Sequence, residues 1–278
     1  MKNEDLREIH NIEMDIMDKI DQFCRDNDIR YSLYCGTMLG AVRHGGFIPW
    51  DDDIDICMLR SDYNKFIDLW RATNNKEYII QNKDTDANFT QSFTKIRKNK
   101  TTFIEEGEKG GLYHNGIFVD ILPLDRIPDS KVDKIKFKWN LMKYLLFTRE
   151  FIPPEGNSIV KLVSSIFLSI YKGENRSQAR QSCLKKIKLY NNDTKLKLVS
   201  ANSLDGLKHE MPAELPNNYQ QIEFEDRKYM CYEDCDGLLS AWYGSYMELP
   251  PLEQQVLKHG PVIVSFDKNY DELKENVL

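Results

Sequence analysis

The 278-residue chain has no basic excess, no apolar run long enough to span a membrane and no cysteine framework. A formal net charge of −6 argues against nucleic acid as a partner, because such binding needs a basic face. The longest apolar stretches, at 139–147 and 159–171, fall short of the roughly 20 residues a spanning helix requires. The six cysteines (Cys24, Cys35, Cys57, Cys183, Cys231 and Cys235) are scattered. Cys231, Cys235 and His209 together make an incomplete zinc set and read as incidental. Internal repeats and low-complexity segments are lacking, and the polar start Met1-Lys2-Asn3-Glu4-Asp5 does not resemble a secretory leader. A reducing cytoplasm is the expected location.

What the chain does have is four aspartates within five residues: Asp51, Asp52, Asp53 and Asp55. Carboxylates packed this closely repel one another, so a folded chain keeps them where a cation neutralises them. The apolar neighbours Ile48, Trp50, Ile54 and Ile56 indicate a partly buried strand rather than a solvated acidic tail. Period-2 alternation places Asp51, Asp53 and Asp55 on one face and turns Asp52 away. Oxygen donors of this density suit Mg²⁺ or Mn²⁺. A calcium loop fits poorly, since Ile56 occupies the position where the sharp turn needs glycine.

Strand-like and helix-like segments follow in mixed order. Ile9, Ile12, Ile16, Ile20 and Phe23 recur at steps of three and four, which predicts a helix over 4–27. Short strands are expected at 30–34, 53–59, 78–81, 92–97, 101–105 and 116–122, with helices at 38–43 and 62–72. The fold class expected is α+β, a mixed sheet flanked by helices. Three regions are expected: a catalytic core (1–130), a basic helical insert (131–190) and a C-terminal part that completes the substrate site (191–278).

Several residues near the aspartates carry matching chemistry. Gly36 permits close backbone approach to a phosphate, and the Thr37 hydroxyl and the amides of the next helix can donate to it. Asp120, at the end of an apolar run, is the natural third carboxylate beside Asp53 and Asp55. Three such groups suit metal-assisted phosphoryl or nucleotidyl transfer. Arg43, His44, Lys95 and Arg97 are available to meet phosphate charge. Each has a plainer reading when taken singly: an ordinary turn at Gly36-Thr37, a turn cap at Asp120, solvated strand residues at Lys95 and Arg97, a loop residue at His44.

The run from Gly36 to His44, continued by Phe47-Ile48-Pro49-Trp50-Asp51-Asp52-Asp53-Ile54-Asp55, resembles the signature of the LicD family. The likeness extends through Phe93–Arg97, Thr101–Ile104, Phe118–Asp125, the Tyr-Gly-x-Tyr-Met…Pro-Pro segment at 243–251 and His259-Gly260. It departs at Ser245, where family members commonly carry Asp. The resemblance implies a nucleotidyltransferase-like fold. It also implies metal on Asp53, Asp55 and Asp120 and donor phosphates at Gly36, Thr37 and Arg43; the aspartate cluster itself suggests Asp51 as a partner of those ligands or of a second metal.

The aspartate cluster points to phosphate transfer, and the resemblance implies which: phosphocholine from CDP-choline to a sugar hydroxyl of a teichoic acid-type, lipid-linked glycan precursor, releasing CMP. Glycerol- or ribitol-phosphate transfer from a related CDP-alditol, or pyrophosphate-releasing nucleotidyl transfer, are the alternatives among enzymes. An inactive nucleotide- or calcium-binding scaffold is the alternative outside them. Residues 131–190 hold thirteen Lys/Arg and four Asp/Glu. That local excess of nine leaves −15 for the rest of the chain. Two readings of this insert compete: helices packed on the core, or a peripheral contact with anionic lipid at the inner face of the plasma membrane.

Overall fold

Apolar residues every three to four positions make Asn3–Asp26 an amphipathic helix, α1. Its inner face buries Ile9, Ile16, Met17 and Ile20 and, among them, the carboxylate of Glu13. The structure is a computed structural model and describes residues 3–105, 113–154 and 156–274. It is α+β, with helices around a mixed sheet.

The chain forms two compact units. The first comprises 1–81, 94–122 and 215–278; the second comprises 82–93 and 123–214. In the first unit, β1 (Ser32–Leu33), α2 (Cys35–His44), β2 (Asp55–Leu59), α3 (Arg60–Thr73), β3 (Tyr78–Gln81), β4 (Thr94–Lys98) and β5 (Thr102–Ile104) follow α1. Then comes the long strand β6 (Phe118–Arg126), which begins in the first unit and ends in the second. The strand order is β1-β2-β6-β4-β3. The antiparallel register of β4 on β6 sets Lys95 opposite Asp120 and Arg97 opposite Phe118.

β6 continues through Pro123, where the sequence suggests a stop. Proline lacks an N–H and is tolerated in a strand only where no ladder bond is needed. Pairing with β4 ends at Ile121, and pairing with β7 (Leu198–Ser200) starts at Leu124. Pro123 falls in the gap between the two partners.

The second unit has its own core. Helix α4 (Lys131–Arg149) buries Phe137, Leu141 and Tyr144 against Cys183 and Ile187 of α6 (Gly173–Ile187), with α5 (Ser158–Ile170) between them in sequence. Among the described residues no helix is long and apolar enough to cross a membrane.

The chain returns to the first unit with the hairpin β8 (Tyr219–Phe224) and β9 (Arg227–Tyr232), then α7 (Cys235–Tyr243). Strand β10 (Ile263–Ser265) pairs antiparallel with β5, and α8 (Tyr270–Lys274) follows.

Candidate functional site

Strand β2 starts only at Asp55, and residues 51–54 form an irregular segment before it. Strand alternation therefore does not govern Asp51–Asp53, and the expectation that Asp52 points away is corrected. Asp52 is fully buried. Its two carboxylate oxygens accept the backbone N–H groups of His259 (3.3 Å) and Gly260 (3.0 Å). Gly260 has φ +51°, a left-handed conformation that glycine adopts without strain. Successive amides aimed at one carboxylate form an anion-binding nest.

The same short segment meets the other two aspartates. His259 Nε2 lies 3.0 Å from Asp53 Oδ2, and its Nδ1 lies 3.1 Å from Glu105 Oε1. Lys258 Nζ stands 3.7 Å from Asp51 Oδ1. Three consecutive residues thus answer three consecutive aspartates: Lys258 meets Asp51, the His259 ring meets Asp53, and the backbone N–H groups of His259 and Gly260 meet Asp52. Val262, just beyond, donates its N–H to Ile104 O (2.7 Å), so pairing of β10 on β5 holds this segment in place.

Two flanking carboxylates make both ring nitrogens of His259 donors. Burial works against a charged imidazole, but the bonds to Asp53 and Glu105 prevail and push its pKa up to about 11. Burial alone would raise Asp53; the bond to His259 and its charge hold it below the usual carboxylate value. Glu105 is lowered by the same imidazole. Asp51 is pushed up to about 7, by burial first and then by the charge of Asp53. Asp55 rises well above its ordinary value through burial and the charges of Asp53 and Asp120.

Asp120 is buried and faces Lys95, whose Nζ lies 2.8 Å from Oδ1 and 3.0 Å from Oδ2. Burial raises Asp120 and Lys95 opposes the rise. Lys95 and Arg97 share a face of β4: the Lys95 ammonium is 3.2 Å from the Phe118 ring centroid and the Arg97 guanidinium 5.0 Å. Arg97 is nearly fully buried and donates to Gln81 Oε1 and to Gly116 O.

Gly36 and Thr37 lie inside the first turn of α2 rather than in a loop before it. A Cβ on Gly36 would come within 2.8 Å of Asp51 Oδ2 and 3.3 Å of Lys258 Nζ. The missing side chain therefore makes room for this carboxylate–ammonium pair. The Thr37 hydroxyl accepts the Asp55 N–H at 2.8 Å and ties α2 to the start of β2. Arg43 is turned to the 243–251 segment, donating to Tyr246 O (2.7 Å) and to Glu248 O (3.3 Å). His44 is exposed, with its ring edge-on to Trp50 at 6.3 Å.

Sequence reasoning gave no role to His259, Lys258, Glu105 or Glu13. Glu13 offered a visible signal, since it falls on the apolar face of α1, four residues after Ile9. It is fully buried, neither of its oxygens has a hydrogen-bond partner among the described residues, and its pKa is raised well above normal by burial and by Asp53, Asp52 and Asp51. Nothing local in the sequence marks 258–260 as partners of 51–53, because they are about two hundred residues away.

The donors fit a divalent cation. Asp52, Asp53 and His259 bring one candidate ligand atom each within 4.8 Å of one another, the imidazole nitrogen becoming a ligand only where a cation displaces its proton. Among the described residues no hydrogen bond reaches the buried Asp51 Oδ1, as is the case for a carboxylate oxygen reserved for a cation. Asp55 and Asp120 add two more carboxylates, each raised in pKa by burial and by the nearby charge of Asp53.

Residues 28–158 match the family model described as LicD/FKTN/FKRP, nucleotidyltransferase domain. They are a LicD-family domain. Over 271 residues the chain is 29% identical to the lipopolysaccharide cholinephosphotransferase LicD of Haemophilus influenzae, covering 93% of this chain and 97% of that protein. Shorter likenesses join it to an uncharacterized protein of Rickettsia typhi and to one of Rickettsia prowazekii. The first is 42% identical over 62 residues (19% of this chain, 20% of that protein), the second 56% over 36 residues (13% and 14%). The matched LicD domain contains the aspartate segment, Lys95, Glu105 and Asp120. Lys258 and His259 lie beyond its end.

Proposed function

We propose that the chain is a metal-dependent, nucleotidyltransferase-like transferase that moves phosphocholine from CDP-choline to a sugar hydroxyl of a cell-surface glycan precursor. The reading rests on the convergence of Asp51, Asp52, Asp53, Asp55 and Asp120 in a chain similar along nearly its whole length to a cholinephosphotransferase. The acceptor oxygen attacks the choline-bearing phosphorus, the bond to the second phosphate breaks, and CMP leaves. Asp120 accepts the hydroxyl proton and orients the oxygen, with Lys95 restraining its carboxylate.

Mg²⁺ or Mn²⁺ on the aspartates, held by Asp53 and Asp55 with Asp51 and Asp120 or by Asp52, Asp53 and His259, supplies neutralisation of phosphate charge. Lys258 supports the same task. Its side chain is 61% exposed, it lies over Gly36 in the first turn of α2, and helix N-termini favour phosphate. The cations nominated from sequence have protein partners instead: Asp120 for Lys95, Gln81 for Arg97, the Tyr246 carbonyl for Arg43.

A teichoic acid-type, lipid-linked acceptor at the cytoplasmic face of the membrane is the substrate class proposed. Donor screening with Mg²⁺ or Mn²⁺ tests the reading. CMP release is expected with CDP-choline, absent with CTP and abolished in Asp53→Asn. Release from CDP-glycerol or CDP-ribitol in preference to CDP-choline makes the chain an alditol-phosphate transferase; release from none of them overturns the enzymatic reading.

A further inference from the structure

Helix α4 carries a second chemistry on its outward face. Val132 (61% exposed), Ile135 (71%) and Trp139 (43%) lie at steps of three and four, so they form one stripe. Lys136 and Lys143 flank the stripe on one side, and Lys131 and Lys138 flank it on the other, from the helical periodicity. The one acid in the first turn, Asp133, is bonded to Lys136. Helix α5 repeats the pattern: Ile159, Leu162, Ile166 and Ile170 are 48–72% exposed and share one face.

The two helices meet where the Trp139 ring stands edge-on to Phe167 at 6.0 Å. Behind them a cavity of about 520 Å³ opens between α4, α5 and α6, lined by Phe147, Phe167 and Tyr171 with Lys143 and Lys186. Lys143 belongs to both features, since its ammonium is also 5.6 Å from the Trp139 ring centroid.

Isolated exposed apolar side chains need no explanation, but seven of them in two helical stripes, on helices that touch at Trp139 and Phe167, are not scattered singly. The stripes are too polar at their margins to be a buried interface and too short to span a bilayer. Lysines flanking apolar and aromatic residues are the composition of a helix that lies in a membrane interface. The segment 131–190 also carries an excess of nine positive charges on a chain of net −6, which selects an anionic surface.

We infer that α4 and α5 form a peripheral docking face for anionic phospholipid bilayers. Val132, Ile135, Trp139, Ile159, Leu162, Ile166 and Ile170 enter the headgroup–acyl boundary, and Lys131, Lys136, Lys138 and Lys143 meet lipid phosphates. This inference does not depend on the proposed reaction.

The test is co-sedimentation of the full chain with phosphatidylcholine vesicles, with and without phosphatidylglycerol. Binding is expected only with phosphatidylglycerol and should weaken at least about tenfold from low to high salt. Ile135→Asp/Leu162→Asp and Lys131→Glu/Lys138→Glu are each expected to weaken binding by about tenfold or more with an unchanged Tm. No binding by the intact chain, or undiminished binding by both variants, overturns the inference. So does a dimer in sedimentation velocity that Ile135→Asp/Leu162→Asp dissolves, since a second copy would then cover the face.

Discussion

The imidazole of His259 bridges Asp53 and Glu105, with its two nitrogens 3.0 and 3.1 Å from their carboxylates. This bridge joins the irregular segment before β2 to the end of β5 and orients the Asp53 carboxylate. Groups that orient a metal-binding carboxylate commonly contribute 10–100-fold to metal affinity or activity. Glu105→Gln is expected to raise the Mn²⁺ concentration for half-maximal CMP release by about 10-fold or more, with a smaller effect on the rate at saturating metal. His259→Ala is expected to raise that concentration and also to lower the rate at saturating metal. Metal titrations of the two variants check the split; an unchanged titration in both removes the bridge from the site.

The pH dependence of the cation-free protein follows from Asp51 and His259. Asp51 has a pKa of about 7 in the fold against an ordinary 3.8, so the folded state holds a proton that the unfolded state has released, and stability falls as pH rises across that interval. His259, at about 11 against 6.5, acts in the same direction: its contribution is whole below 6.5 and lost as pH rises toward 11. Asp53 and Glu105, held below their ordinary values, oppose this only at acid pH. A cation competes with these protons. The Tm gain on adding Mn²⁺ should therefore be greater at about pH 8 than at about pH 5.5. A gain independent of pH counts against cation binding at these groups.

Gly36→Ala should separate stability from activity. Alanine is favoured over glycine in a helix by up to about 1 kcal/mol, yet its Cβ would press to 2.8 Å from Asp51 Oδ2. Unfolding free energy is expected to change by less than about 1 kcal/mol. CMP release is expected to fall by about 10²-fold, the scale of effect of an ångström-sized misplacement at a site. Urea unfolding and turnover, measured on the same preparation, give both numbers.

Lys95 and Asp120 form a buried pair, each side chain 8% exposed. Removing one partner strands a charge. Lys95→Met should cost about 3–5 kcal/mol in urea unfolding, and adding Asp120→Asn should recover most of it. If the single variant is as stable as the parent, the pair does not restrain Asp120 as described.

Much of the site was legible locally. Four aspartates among apolar residues required a counter-charge whatever the fold, and Asp120 at the end of an apolar run marked itself as a strand-borne carboxylate. The helical period of α1 and the short strands β3, β4 and β5 followed from spacing alone. The orientation of Asp52 was not legible, because alternation holds only within a strand and residues 51–54 lie outside one. The same holds for β6, whose continuation through Pro123 depends on where two different partner strands stop and start.

By itself the sequence determined the charge density of the aspartate segment, the α+β texture, the basic 131–190 segment and the resemblance to the LicD family. All of these are properties of neighbouring residues or of composition. Tertiary structure alone decided that Lys258, His259 and Gly260 meet Asp51, Asp52 and Asp53, that Glu13 is buried near them, and which faces of α4 and α5 stay uncovered. Those relationships join positions about two hundred residues apart or depend on what packs against a helix. No local pattern encodes them, and they exist only once β10 pairs with β5 and α4 packs on α6.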